Sequence, residues 1–365
     1  MKRLVLFLDG TWNDPSDTTN VTRLRKALAA ADAAGVEQLP YYAEGVGNKF
    51  LERFRGGVFG FGLSKKIRDA YEWLAKNYED GDEIFVFGFS RGAFTARSLA
   101  GVVAKRGLLD EPGKTMTVDE LFDSYRKSKT RKLADGARWV PIKFIGVFDT
   151  VGTLGMPAGP IRTKLTRVGQ YFHNTNPSVQ YHHMYHALAI DEHRPPYAAT
   201  LWTQYVRHGN APTPLQKHQT VEQRWFIGAH TDVGGGAKSA GLPLLPAVWM
   251  QQCAAGHDLA FSEQLVAGAN AHVEPVTDSF GKFLFGLYKL VRRNRRYFRG
   301  VGAGPSVVKA GDADSLPINE SIDASVFDRY RADAEYRPQN LVEWAAREGV
   351  DLDTVVGDHR IGVQL

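Results

Sequence analysis

The order of three segments constrains this chain more than anything else in it. An apolar run, Glu83-Ile84-Phe85-Val86-Phe87, leads into Gly88-Phe89-Ser90-Arg91-Gly92. That in turn leads into the helix-like stretch Ala93-Phe94-Thr95-Ala96-Arg97-Ser98-Leu99-Ala100. A strand that turns at once into a helix needs small residues on both sides of the turn, and two glycines supply them. Such a turn lifts the Ser90 hydroxyl above the carboxyl edge of a sheet, facing the first N–H groups of the helix. The five letters alone are common; their setting between strand and helix is what distinguishes them from an ordinary glycine-flanked turn.

The remaining apolar runs say what kind of sheet this is. Leu4 to Leu8 reads as a strand ending in Asp9-Gly10-Thr11-Trp12-Asn13, and Leu39 to Tyr42 as a second. Ile142 to Phe148 is followed by Asp149-Thr150-Val151-Gly152, and Gln223 to Ala229 by His230-Thr231-Asp232-Val233-Gly234-Gly235-Gly236. Asn20 to Ala34 reads as a helix with Asn20 as its N-cap. Gly56 to Gly62 reads as a glycine-rich loop. Leu63 to Tyr78 is then a helix, with Ile67, Ala70, Tyr71 and Leu74 on one face. Near-continuous apolar strands alternating with helices predict an α/β fold, a mostly parallel sheet covered on both faces. Active residues of such sheets gather beyond the carboxyl ends of the strands, where Asp9, Ser90, Asp149 and His230 all fall.

A length of 365 residues with 43% hydrophobic and 23% charged residues suits one large globular unit. We expect a single domain over 1–365, with insertions or a cap at about 153–220 and 260–310. The one cysteine, Cys253, excludes an intramolecular disulfide and a cysteine metal site. The N-terminal apolar run stops at Asp9, too early for a secretory signal, and no apolar run reaches the roughly eighteen residues of a spanning helix. The expected location is the cytoplasm at synthesis, any export proceeding without a signal peptide. The net charge of +5 is partly local, in Arg292-Arg293-Asn294-Arg295-Arg296 and in Arg126 to Lys132. Such patches suit an anionic lipid or another acidic partner, or simply a solvated surface; a nucleic-acid partner is not expected.

A serine in this setting needs a base, and the base needs an acid. His230 is the best base, because it ends a strand before a Gly-rich loop. His359, near the C-terminus, is the alternative. For the acid, Asp149 and Asp191 compete closely on spacing alone. Asp232 is too near His230 in sequence to reach its ring easily and suits the loop better. Arg91 N–H, with Gly10 and Thr11 after the first strand, would form an oxyanion hole. His182, His183 and His186 have a spacing that could seat two metal ligands on one helical face, but no HExxH pattern accompanies them. A metal-dependent hydrolase built on Asp9, Asp149, Asp232 and His230 is a second reading. A non-catalytic scaffold that binds an anionic partner is a third. A nucleotide site is disfavoured, since the 57–62 loop lacks the Lys-Ser/Thr ending of a P-loop.

Phe7 to Asn13, Gly56 to Tyr78, Gly88 to Gly101, Phe148 to Gly152, Ala187 to Arg194 and His230 to Gly236 together resemble an α/β-hydrolase family. Its best-known members are the phospholipase effectors of bacterial type VI secretion, in their first lipase-effector group. The resemblance covers residue 1 to about 245. It implies an α/β-hydrolase-like sheet, no cofactor and cleavage of carboxylic esters, among them phospholipids. It also implies a Ser-His-Asp triad, which carried over position by position is Ser90, Asp191 and His230. The apolar and basic stretch 280–299, with Phe280, Phe283, Phe285, Leu287 and Tyr288, is the expected place for peripheral membrane contact.

Overall fold

A computed structural model describes every residue except 11–17, 44–55, 129, 152–174, 208–209, 237–240, 282–294, 303–305, 311–312 and 363. The glycine-rich turn, the apolar runs and the helical periodicities resolve into one eight-stranded sheet and its flanking helices. The strands are β1 (Arg3–Leu8), β2 (Gln38–Ala43), β3 (Glu83–Phe89), β4 (Ile142–Phe148), β5 (Tyr181–Ala189), β6 (Thr220–Phe226), β7 (Glu320–Ile322) and β8 (His359–Ile361). Their spatial order is β8-β7-β6-β5-β4-β3-β1-β2. Every neighbouring pair is parallel except β7 with β8. The chain runs outward from β1 to β2, then returns to build the rest on the other side, so the order reverses between β1 and β3. Ligands of open parallel sheets bind at such a reversal, and Ser90 ends β3 beside it.

The apolar strands are continuous because both faces are covered. Leu4, Leu6, Leu8, Ile84 and Val86 pack with α2 (Gly56–Asn77), α3 (Arg91–Arg106) and α4 (Val118–Lys127). Val5, Phe7, Phe85, Phe87 and Phe144 pack on the opposite face with α1 (Asn20–Ala27) and with the helix at Leu244–Ala255. On that second face a row of rings crosses four strands. Phe7–Phe87, Phe87–Phe144 and Phe144–Tyr185 each have centroids 5.3 Å apart. Cross-strand aromatic pairs of this kind add about 0.5–1.5 kcal/mol each beyond burial.

Several expected boundaries move. α1 ends at Ala27 rather than Ala34, and Thr19, not Asn20, caps it by accepting from Thr22 N. Leu28 is extended there and bridges to Phe261, which ends the helix. Asn20 instead donates its amide to the Val233 and Pro243 carbonyls, tying α1 to the loop after His230. The glycine-rich stretch from Gly56 is the first part of α2, not a loop.

The larger correction is β5. The 153–220 region, expected to be an insertion, supplies a central strand of the sheet. Its three histidines disguise the apolar pattern. His186 is buried and accepts from Thr150 N–H at 3.0 Å. His183 lies at the amino edge, stacked on His257 with centroids 3.5 Å apart, while His182 meets His218 edge-on. The histidines lie along a strand rather than on a helical face. Among the described residues, no group of three or more His, Cys, Asp or Glu could hold a metal ion.

Packing at Gly92 and at His183 has measurable consequences. A Cβ on Gly92 would lie 2.0 Å from the Leu8 carbonyl oxygen and 2.6 Å from that of Asp9. Gly92→Ala should therefore cost about 3 kcal/mol, the upper end for overpacking, read as a lower urea midpoint at unchanged slope. The second concerns acid. Burial, then the neighbouring His257, lowers the His183 pKa to about 4. A histidine whose folded value lies below its unfolded value of about 6.5 binds protons preferentially in the unfolded chain. The contribution is intact above about pH 6.5 and is lost as the pH falls toward 4. Thermal melts across that window should fall less steeply for His183→Gln; identical slopes would remove the stack as their cause.

Candidate active site

Because seven strands run parallel, their carboxyl ends share one edge, and the site is assembled there from five strand exits. Ser90 leaves β3 with φ 58° and ψ −118°, a conformation non-glycine residues rarely adopt. The turn is held by Ser90 N–H donating to the Phe148 carbonyl at 3.0 Å and by the Ser90 carbonyl accepting from Phe94 N–H. A Cβ on Gly88 would sit 2.6 Å from the Gly92 carbonyl oxygen. Both glycines of the pentapeptide are thus required by close approach of backbone, and α3 begins directly behind the serine.

His230 follows β6 after a short turn through Gly228 and begins a five-residue helix, His230–Gly234. Its Nε2 lies 2.8 Å from Ser90 Oγ, and its Nδ1 lies 2.6 Å from Asp149 Oδ2. A carboxylate can only accept, so Nδ1 carries the proton and Nε2 is left to accept from the serine hydroxyl. The imidazole is packed between Phe89 and Tyr197, with ring centroids 4.8 and 4.9 Å away. Burial lowers its pKa, more than the hydrogen bond and charge of Asp149 raise it. The ring is therefore neutral at neutral pH, the form in which it can take a proton.

Asp149 leaves β4 fully buried and, like Ser90, at positive φ, here 43°. Its Oδ1 accepts from Ala189 N at 3.0 Å and from Arg299 Nη1 at 2.5 Å. Its Oδ2 accepts from His230 and from Arg299 Nη2 at 2.9 Å. Burial alone would raise this carboxyl; the charge of Arg299 and the bond from His230 outweigh it and hold the group well below the usual carboxylate range.

The pairing of Asp191 with His230 implied by the resemblance is not what the structure contains. Asp191 Oδ2 accepts from Gly228 N at 2.7 Å and from the Tyr336 hydroxyl at 3.0 Å. Asp191 N–H in turn donates to the Gly228 carbonyl at 3.1 Å. It therefore fastens the turn that precedes His230 instead of meeting its ring. Burial raises the Asp191 pKa, and its hydrogen bonds come from neutral donors. Asp149 and Asp191 differ physically in just the respect that matters for holding an imidazolium, since only Asp149 is held ionised by a cation in contact.

The other sequence candidates take separate places. Asp9 accepts from the Thr19 hydroxyl at 2.7 Å, from Tyr42 at 3.2 Å and from Gly10 N–H at 2.7 Å. Gly10 N–H is thereby occupied within its own turn, and Thr11 lies outside the described residues. Arg91 opens α3 at its N-terminal end, where the helix dipole favours negative charge. Burial lowers its guanidinium pKa to about 10. Asp232 accepts from Ala229 N–H, from Thr277 N–H and from the Thr277 hydroxyl, bracing the loop around His230. His359 packs against Trp344 and Phe327 on the far edge of the sheet. Residues 282–294 of the expected membrane-contact stretch 280–299 lie outside the described residues; Arg295 and Arg296, which follow them, are exposed.

Sequence reasoning missed Arg299, Tyr197 and the Glu192–Arg194 pair. Glu192 is fully buried, accepts from His230 N–H at 3.2 Å and is gripped by Arg194 at 2.8 Å through both Nε and Nη2. Arg194 also lies over the Tyr197 ring, 3.5 Å from its centroid. The acidic-basic run Asp191-Glu192-His193-Arg194 was a signal for the pair. Arg299 carried none, standing 150 positions from Asp149. Among the described residues no helix is long and apolar enough to cross a membrane.

Residues 2–253 match the family model described as T6SS, phospholipase effector Tle1-like, catalytic domain. An uncharacterized protein of Saccharomyces cerevisiae is 29% identical over 231 residues, covering 53% of this chain and 31% of that protein. A crystal structure of an uncharacterized protein from Pseudomonas aeruginosa aligns with a TM-score of 0.42 at 16% identity, over 80% of this chain and 50% of that one. The structure of the Tle1 effector bound to the VgrG spike of the type VI secretion system aligns with a TM-score of 0.31 at 17% identity, over 66% and 52%. The chain thus spans about a third of the length of the yeast relative and about half of each of these structures. With the match extending over most of its length, the chain belongs to the family of Tle1-like phospholipase effector catalytic domains.

Proposed function

We propose that this chain is a serine hydrolase that cleaves carboxylic esters of phospholipids or related lipids through an acyl-enzyme. One observation carries the reading: Ser90 Oγ, the His230 imidazole and the Asp149 carboxylate form a hydrogen-bonded line with links of 2.8 and 2.6 Å. The family's description as a phospholipase effector supports a lipid ester as substrate.

In this reading Ser90 Oγ attacks the acyl carbonyl while Nε2 of His230 takes its proton. Asp149 keeps the Nδ1 tautomer and balances the imidazolium as it forms. The oxyanion develops beside the start of α3, where Arg91 N–H is the donor and the helix end adds favourable potential. His230 returns the proton to the leaving alcohol. A water, deprotonated by the same nitrogen, then attacks the acyl-serine and regenerates the enzyme. The exposed Arg295 and Arg296, the latter 5.9 Å from the Phe280 ring centroid and 3.7 Å from Asp278, suit contact with an anionic bilayer.

Ser90→Ala should lower phospholipid and short-ester turnover by about 10⁴-fold or more and abolish labelling by a fluorophosphonate, with the circular dichroism melt preserved. Undiminished turnover in that variant would retire the proposal. Asp149→Asn should lower kcat by about 10⁴-fold, because the amide can offer its N–H and trap the wrong imidazole tautomer. Asp191→Asn should cost less than about tenfold, since an amide oxygen still accepts from Gly228 N–H. The reverse ranking would return the role of acid to Asp191. For pH, burial favours neutral His230, so the acid limb of kcat/KM should fall below about 6.5, the ordinary histidine value.

A further inference from the structure

We propose that Arg299 is a positioning residue of this site: its guanidinium fork fixes the plane of the Asp149 carboxylate and, through it, the His230 ring. The inference rests on the serine-hydrolase reading above.

A buried carboxylate needs donors at both oxygens and a compensating charge. Asp149 has two oxygens and receives four donors, two of them from Arg299. Without the fork, the Ala189 N–H would be the one fixed donor left among the described residues to set the carboxylate plane, since the imidazole is the group being positioned. Arg299 is itself immobilised. Nη1 also donates to the Ala189 carbonyl at 2.7 Å, and Nη2 to the Tyr197 carbonyl at 2.5 Å. Those carbonyls belong to the exit of β5 and to the residue whose ring packs against His230. These two carbonyls hold the guanidinium in place against the acid behind the imidazole. A lysine has the charge but not the fork, so it cannot make the same paired contact.

The segment carrying Arg299 is held to the site at several points. Tyr297 N–H donates to the His193 carbonyl, and Phe298 packs against the His193 ring. Earlier in the same segment Thr277 donates to Asp232 and Ser279 to Glu192. The 277–281 and 295–299 stretches thus form a wall of the site, and Arg299 is the part that reaches the triad acid.

Charge makes a second, separable consequence. His230 faces the Asp149 carboxylate at Nδ1, Glu192 at its backbone N–H, and Arg194 beyond Glu192, with Ser90 and Tyr197 as its other polar neighbours. Asp149 faces Arg299 and His230, with His186 near. Arg299 thus tempers the pull of Asp149 on the imidazole. Replacing it by an uncharged residue strengthens that pull and makes His230 more basic.

The test measures ester turnover per fluorophosphonate-labelled serine, with pH profiles, in full-length wild type, Arg299→Met, Arg299→Lys and the double variant Arg299→Met/Asp149→Asn. Arg299→Met should lower kcat by about 10- to 100-fold, with KM within about twofold, and move the acid limb of kcat/KM upward. Arg299→Lys should leave the limb in place yet lose about tenfold in kcat. The double variant should be within about twofold of Asp149→Asn alone, because Arg299 acts through Asp149. Additive losses, or wild-type kcat and pH profile per labelled serine, would overturn the proposal. Should Arg299→Met fail to fold, Arg299→Lys decides alone: wild-type kcat per labelled serine overturns the role. Wild-type protein without Ser90-dependent turnover would instead bring down the hydrolase reading, and this inference with it.

Discussion

A carboxylate removed from water must be surrounded by donors and matched by positive charge, and Asp149 is the place where this chain meets that demand. Its two oxygens gather a backbone N–H from the end of β5, the imidazole from the end of β6 and a guanidinium from residue 299. Taking one partner away leaves a buried charge undercompensated, so the three elements are held to one another through a single side chain. The positive φ of Asp149 is part of the same constraint: the backbone accepts an unfavourable conformation that the surrounding bonds over-determine. Glu192 and Arg194 repeat the pattern on the other side of His230. The neutral imidazole thus sits among two buried carboxylates and two buried guanidinium groups.

The parallel sheet makes this gathering possible. Seven strands with one polarity deliver their exits to one edge, where residues 150 positions apart, such as Asp149 and Arg299, become neighbours. The edge takes this shape only because α3 can start almost in contact with β1. A side chain at Gly92 would collide with the Leu8 carbonyl, and one at Gly88 with that of Gly92. The opposite, amino edge is occupied differently. There β5 carries histidines that stack with His257 and meet His218, a surface where aromatic contact and partial exposure make imidazoles tolerable in a central strand.

Legibility in the sequence followed the physics of each element. β1, β3 and β4 were plain, because strands covered on both faces must be apolar throughout. The strand–turn–helix around Ser90 was plain because its glycines and hydroxyl have few other uses in that order. β5 was hidden, since Tyr181-His182-His183-Met184-Tyr185-His186 has no strand-like alternation. Its polarity is satisfied by tertiary partners that no local window contains. The first turns of α2 were hidden by glycines, which weaken a helix by about 1 kcal/mol each without forbidding it. The choice between Asp149 and Asp191 was open for the same kind of reason. Both follow central strands, and the distinction lies in which one Arg299 reaches.

By itself, the sequence determined the class of fold, the serine turn and the candidate base, because these depend on short-range pattern: apolar runs, glycines at fixed offsets and a histidine at a strand exit. The tertiary structure alone decided which carboxylate faces the imidazole and what keeps it ionised. That depends on burial and on a cation brought from far along the chain, and neither leaves a mark on the residues around Asp149.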